Sequence, residues 1–260
     1  MAARDHALIP FAIAFVLAVA PGSQPGAAIS AHTAAPHRMR YHLALPTGWS
    51  EKREWPVLVV IPDAHRDFVA NLQKFVAARG NRPYILVAPE VLTSGGTNRP
   101  FECYTYTRAV WDSLQGVDAF AFDDDGVAAV LADVHGRWHG EEKAFLTGWE
   151  AGGHTIWALT FRHPERWRGV APVTPNYQRR GVKYPEEPGL LQLPLQVFEA
   201  GAPNPQIAPF MKNLEQQIAA ALADARAHSY MPAPVRVVPG ADHGPLPEGV
   251  LAWCDSLRHR

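Results

Sequence analysis

Cysteine is scarce: Cys103 and Cys254 are the only two in 260 residues, and no C-x-x-C pair exists. That excludes a disulfide-dense scaffold and a thiolate metal or redox motif. It leaves one disulfide closing a long loop in an oxidising compartment, or two buried thiols. Charge of one sign is lacking as well. With 24 Lys and Arg against 25 Asp and Glu, the formal net charge is -1, so there is no long-range field to draw in nucleic acid or an anionic membrane. No basic patch or helix-turn-helix pattern argues otherwise. Nor does any apolar run reach the ~20 residues that span a bilayer. The run from Ala7 to Ala20 follows Arg4 and precedes small residues at Ala27, Ala28 and Ala31, which reads as a secretory signal peptide. The alternative, a retained anchor, finds no cysteine after the run for a lipid.

These features predict a signal peptide over 1–28, a linker over 29–38 rich in alanine and proline, and one domain over 39–260. The protein is then secreted or periplasmic, with no membrane association after cleavage. Pro21 spoils the site after Ala20, so the cleavage point stays open. Hydrophobic residues make up 47% and charged residues 19%, a globular balance at a length that suits one large core. There is no internal repeat.

Past the linker, apolar runs and helical spacings alternate. Strands are expected at 41–45, 56–61, 83–88, 144–147, 169–173, 193–198 and 235–238. Helices are expected at 67–79, 123–138, 151–161, 207–227 and 248–257. The helix from Asp123 is expected to open on the acidic run Asp123-Asp124-Asp125. Alternation of this kind predicts an α/β domain with a doubly wound, mostly parallel sheet. Segments 89–117 and 174–192, rich in Gly, Pro and aromatics, follow strand ends, where binding sites commonly form. Tyr104, Tyr106, Trp111 and Tyr177 lie in these segments, either as ligand-stacking rings or as partial core. Ser94 reads as an exposed loop serine.

One octapeptide stands out, Thr147-Gly148-Trp149-Glu150-Ala151-Gly152-Gly153-His154. It has the glycine spacing of the G-x-S-x-G strand-to-helix turn, with glutamate at the serine position. Together with Phe161-Arg162-His163-Pro164-Glu165-Arg166-Trp167-Arg168-Gly169-Val170-Ala171-Pro172, it resembles the α/β-hydrolase superfamily. Within it, the likeness is to secreted esterases of the polyhydroxybutyrate depolymerase and feruloyl esterase kind, over roughly residues 40 to 258. The resemblance implies a nucleophile position at Glu150, an acid position at Asn204 in Gly201-Ala202-Pro203-Asn204-Pro205, and a histidine at His243. It implies an oxyanion hole from the backbone N–H of Ala151 and one near Asp63, Ala64 and His65. Trp149 and His65 are candidate pocket walls.

Two of three triad positions are therefore changed. An asparagine accepts a hydrogen bond from an imidazole but lacks the charge that stabilises an imidazolium as the proton moves. A glutamate at the elbow reaches into the volume an acyl group must occupy, and the N–H groups of the following helix favour an anion there. The implied function is binding of a small-molecule or polymer ligand in the old cleft, with serine-type catalysis lost. Two rivals remain. In one, Glu150 is a carboxylate nucleophile working with His243, although misplacing an attacking atom by about 1 Å costs roughly a hundredfold. In the other, Glu150 and His154, four residues apart, join His243, His65 or Asp63 around a metal. No cofactor and no metal are expected on the favoured reading.

Overall fold

Strands with no polar alternation must be covered on both faces, and the central strands are. The computed structural model describes residues 28–185 and 192–259. The expected signal peptide, apart from Ala28, lies outside them. Every residue of β3 (Val57–Ile61) and β4 (Ile85–Pro89) is buried, as are the first five of β5 (Ala144–Trp149). With β1 (Ser30–Thr33), β2 (Arg40–Ala44), β6 (Trp167–Val173), β7 (Phe198–Ala200) and β8 (Arg236–Val238), they form one sheet in the order β1-β2-β4-β3-β5-β6-β7-β8. The pairs β1–β2 and β2–β4 are antiparallel and every other pair is parallel. The mostly parallel, doubly wound α/β sheet expected from the alternation is the one observed.

Among the described residues the helices are α1 (Phe68–Arg79), α2 (Arg108–Ser113), α3 (Ala119–Trp138), α4 (Gly153–Arg162), α5 (Ala208–Ala227) and α6 (Pro247–Arg258). The first, α1, packs beside α6, and α3 beside α4. Asp67 caps α1 by accepting from Ala70 N at 2.9 Å. Between the layers lie Phe145, Trp157, Phe161 and Phe198, all essentially without exposure.

Four local expectations need correction. The segment read as a linker contains β1, which pairs with β2 through Ser30↔Leu43 to Thr33↔Arg40. Helix α2 lies inside the excursion expected to be loop. Helix α3 starts before the acidic run, because Asp118 caps it by accepting from Phe120 N at 2.9 Å and Ala121 N at 3.1 Å. The run then falls inside the helix and is used for tethering. Asp123 accepts from Leu92 N and Thr93 N, and Asp124 pairs with Arg166 at 2.7 Å and His163 at 3.0 Å. Finally, the strand expected at 193–198 is regular only from Phe198. Its earlier part makes one isolated bridge, Val170↔Leu195, where Pro194 has no N–H to donate.

Parallel strands align their carboxyl ends, so the loops after β3, β5 and β8 open on one edge of the sheet. The octapeptide lies on that edge, at the end of β5.

Candidate functional site

Strand β5 runs through Gly148 to Trp149, and the chain then reverses at Glu150, whose φ is +49°. A side chain in this left-handed region costs about 1–2 kcal/mol, so the surroundings must hold it. Asn176 N donates to Glu150 O at 2.8 Å. The glycines explain the closeness of the turn. A Cβ on Gly148 would lie 2.5 Å from Ile61 O, one on Gly152 2.4 Å from Pro62 O, and one on Gly153 2.5 Å from Asn176 O. The turn is pressed between the end of β3 and the loop after β6, and Gly153 is a third required glycine that the G-x-x-x-G spacing does not reveal.

Glu150 meets the histidine expected to face it. Its Oε2 lies 3.4 Å from His243 Nε2, with the two side chains 22% and 12% exposed. The other imidazole nitrogen, Nδ1, is buried and has no hydrogen-bond partner among the described residues. Asn204 is brought to the neighbouring loop, since Ala202 N donates to Ala241 O at 2.9 Å. Its side chain is used elsewhere: Asn204 Oδ1 accepts from Gln206 N at 3.0 Å and caps the short turn Pro205–Ile207. Asp242 Oδ1 accepts from the backbone N of His243 at 2.7 Å and of Asn204 at 3.1 Å. It thus braces both loops through backbone N–H groups. The His243 ring is flanked by Trp149, centroids 5.1 Å apart, and edge-on by Phe210 at 5.8 Å. Phe210, at the start of α5, carried no sequence signal.

The two residues expected to supply oxyanion N–H groups, Ala151 and Ala64, both lie against Gly95. Gly95, with φ +90°, donates its N–H to Ala151 O at 3.4 Å, and a Cβ on it would sit 3.1 Å from Ala64 Cα. Ser94 is fully buried, contrary to the exposed loop serine expected. Its hydroxyl lies 2.7 Å from both Pro62 O and Asp63 O and shares its proton between them. Arg66 donates to Ala64 O at 3.2 Å and Gly96 O at 3.0 Å, and Arg180 donates to Gly95 O at 2.7 Å. These three side chains brace the loops that carry Ala64 and Gly95.

Solved structures of similar shape include hydrolases and peptidases. A poly(3-hydroxybutyrate) depolymerase from Bordetella parapertussis matches with TM-score 0.58 and 19% identity, over 89% of this chain and 89% of that one. A siderophore hydrolase from Aspergillus nidulans matches with TM-score 0.58 and 15% identity, over 92% and 96%. A dipeptidyl peptidase 4 from Porphyromonas gingivalis matches with TM-score 0.56 and 12% identity, over 90% of this chain and only 35% of that one. This chain has the α/β-hydrolase fold. No protein-family model and no curated protein matches the sequence.

In this α/β-hydrolase fold the loop after β3 and the first turns of α1 form a cavity of about 210 Å³ against the elbow. Asp63, His65, Asp67, Ala70, Asn71, Lys74 and Trp149 line it. The two expected pocket residues, Trp149 and His65, are both present. His65 Nδ1 lies 2.8 Å from Asp63 Oδ2. That hydrogen bond, then the charge of Asp63 and more weakly that of Glu150, hold His65 above its ordinary imidazole value.

Among the described residues no three His, Cys, Asp or Glu side chains are grouped to hold a metal. His154, the other residue of the metal reading, is buried. Burial, with the charge of Arg180, lowers it to about 4. The aromatics of the excursions are packed inward: Tyr104, Tyr106, Trp111 and Tyr177 are all buried, with Tyr104 and Trp111 4.7 Å apart. No helix of the described residues is long and apolar enough to cross a membrane.

Proposed function

We propose that this chain is an exported α/β-hydrolase-fold protein related to carboxylic ester hydrolases, in which Glu150 stands at the nucleophile position and serine-type acyl transfer is lost. The old cleft binds a small-molecule or polymer ligand. One observation carries the reading: Glu150 Oε2 faces His243 Nε2 at 3.4 Å while His243 Nδ1 has no partner among the described residues. Acyl transfer by a triad needs a hydroxyl on Nε2 and an acid on Nδ1 to hold the ring and stabilise its charge. Here a carboxylate replaces the first and the described residues supply nothing for the second.

The rival in which Glu150 attacks carbon draws on the same 3.4 Å contact, because a carboxylate nucleophile also lies beside its histidine. It then needs His243 to activate water, and the orphaned Nδ1 counts against it.

Phosphonylation by a fluorophosphonate, read by intact mass, tests the assignment of Glu150. The parent should take up no label. Glu150→Ser should gain one adduct, and that adduct should disappear when His243→Ala is added. A Glu150→Ser adduct that persists when His243→Ala is added would contradict the pairing of residue 150 with His243. N-terminal sequencing of the protein recovered outside the cytoplasm tests export, with a start near residue 28 expected and an intact Met1 contradicting it.

A further inference from the structure

We propose that Gln217, on α5, is a positioning residue for the elbow: through the loop after β6 it holds residue 150 in its left-handed conformation and so keeps the Glu150 carboxylate on His243. This rests on the reading of those two side chains as the centre of the site. The starting observation is that the elbow is gripped from outside its own strand and helix. Glu150 has φ +49° without a glycine's freedom to adopt it, and its carbonyl accepts from the N–H of Asn176 at 2.8 Å. The loop that carries Asn176 has no room to move toward α4, because a Cβ on Gly153 would already lie 2.5 Å from Asn176 O and 2.7 Å from Asn176 N. What keeps it from lifting away is α5.

Gln217 accepts twice through one oxygen. Its Oε1 takes the backbone N–H of Tyr177 at 2.7 Å and the side-chain amide N–H of Asn176 at 3.3 Å, while its Nε2 donates to Asn213, one turn earlier on the helix. Because the Tyr177 N–H can only donate, the Gln217 amide must present its oxygen to the loop. Further bonds tie down the same segment: Tyr177 O–H donates to Asp224, and Arg179 donates to the two Asp224 oxygens at 2.8 and 2.9 Å. Phe210, edge-on to the His243 ring at 5.8 Å, precedes Gln217 by seven residues, as Gln217 precedes Asp224. Seven residues are nearly two turns, so the three share one face of α5. That face reaches both partners of the 3.4 Å contact, His243 directly and Glu150 through Asn176. Of the three, Gln217 alone bonds Asn176, the residue that grips the elbow.

Amide hydrogen exchange and side-chain NMR of the full mature protein test the grip. Gln217→Leu keeps the bulk and loses the acceptor, and Gln217→Lys offers only donors. In each, the Asn176 N–H should exchange about tenfold faster or more, and the Glu150 carboxyl and His243 ring resonances should move. Gln217→Glu, which keeps the acceptor, should restore both, and Gln216→Leu, at an exposed neighbour, should change neither. The consequence for the site is read in the Glu150→Ser background. There Gln217→Leu should slow phosphonylation by a fluorophosphonate about tenfold or more, since a misplacement of about 1 Å costs roughly a hundredfold, and Gln217→Glu should not. A merely structural glutamine would lower stability without moving the resonances or the labelling rate of the folded protein. Unchanged Asn176 exchange in Gln217→Leu and Gln217→Lys, unmoved resonances, a Gln217→Glu protein that behaves like Gln217→Leu, or a labelling rate indifferent to Gln217 would each overturn the proposal. Exchange and resonances need no chemistry at residue 150, so they decide on Gln217 even where Glu150→Ser takes no label. An adduct that persists in His243→Ala would instead count against the pairing of residue 150 with His243.

Discussion

Replacing Gly152 with alanine should destabilise the protein, although on backbone grounds alone it should do the opposite. Gly152 has φ −60° and ψ −19°, an ordinary helical conformation in which alanine normally gains about 0.5–1 kcal/mol over glycine. The obstacle is contact. The added Cβ would lie 2.4 Å from Pro62 O and 3.1 Å from Ile61 Cγ2, so the turn and the end of β3 must separate by roughly 1 Å to restore normal spacing. Overpacking of this kind costs about 1–3 kcal/mol. Separation also loosens the last β3–β5 pair, Ile61↔Gly148, at about 1 kcal/mol for a hydrogen bond. The net expectation is a loss of roughly 2 kcal/mol, well above the error of a careful midpoint comparison. Gly136, inside α3, is the control, since nothing lies within 4 Å of a Cβ placed there. Gly136→Ala should gain about 0.5–1 kcal/mol. Urea unfolding of the three proteins, with unchanged slopes, reads both signs. A Gly152→Ala protein as stable as the parent would refute the close-packed elbow.

Two further outcomes follow from buried ionisable groups. Burial pushes the Asp123 carboxyl up to about 7, against the N–H groups of Leu92 and Thr93 and the Thr93 hydroxyl that favour its charge. The folded state then holds this proton more tightly than the unfolded chain does. Its stabilisation is full below about pH 4 and is lost as pH rises toward 7, a span worth up to about 4 kcal/mol. Asp123→Asn should flatten that decline, and a parallel slope in parent and variant would contradict it. The cysteines, left open between a bridge and two thiols, are both free, Cys103 half-buried and Cys254 buried, with burial pushing the Cys254 thiol up. A thiol reagent should therefore find Cys103 in the native protein without reductant and Cys254 only after unfolding. Two thiols missing from the denatured count would restore the disulfide.

What was legible in the chain follows physical lines. Strands β3, β4 and β5 announce themselves because burial on both faces leaves no polar positions, and the elbow does so because the clash at Gly148 and Gly152 tolerates nothing larger. Strand β1 is hidden because Ser-Ala-His-Thr at a sheet edge is mostly exposed and carries no apolar run. The start of α3 was misplaced because three adjacent aspartates outweigh a single Asp118, yet a cap needs only one side chain. Loop neighbours could be guessed from the order of elements, which puts Asn204 near His243. The direction of a side chain could not, and Asn204 caps its own turn. Asn71 and Ser94 are the same problem in reverse. Each is an unremarkable polar residue by type, and only the packing shows one to be buried without a side-chain partner among the described residues and the other to clamp the loop after β3.

The most direct measurement is hydrolysis of p-nitrophenyl acetate by the metal-stripped mature protein, with Glu150→Ala beside the parent. If the carboxylate at the elbow has ended ester hydrolysis, parent and variant both run at the background rate. A parent that turns over and loses that turnover in Glu150→Ala, while remaining folded, would make Glu150 a working catalytic group and contradict the loss of catalysis.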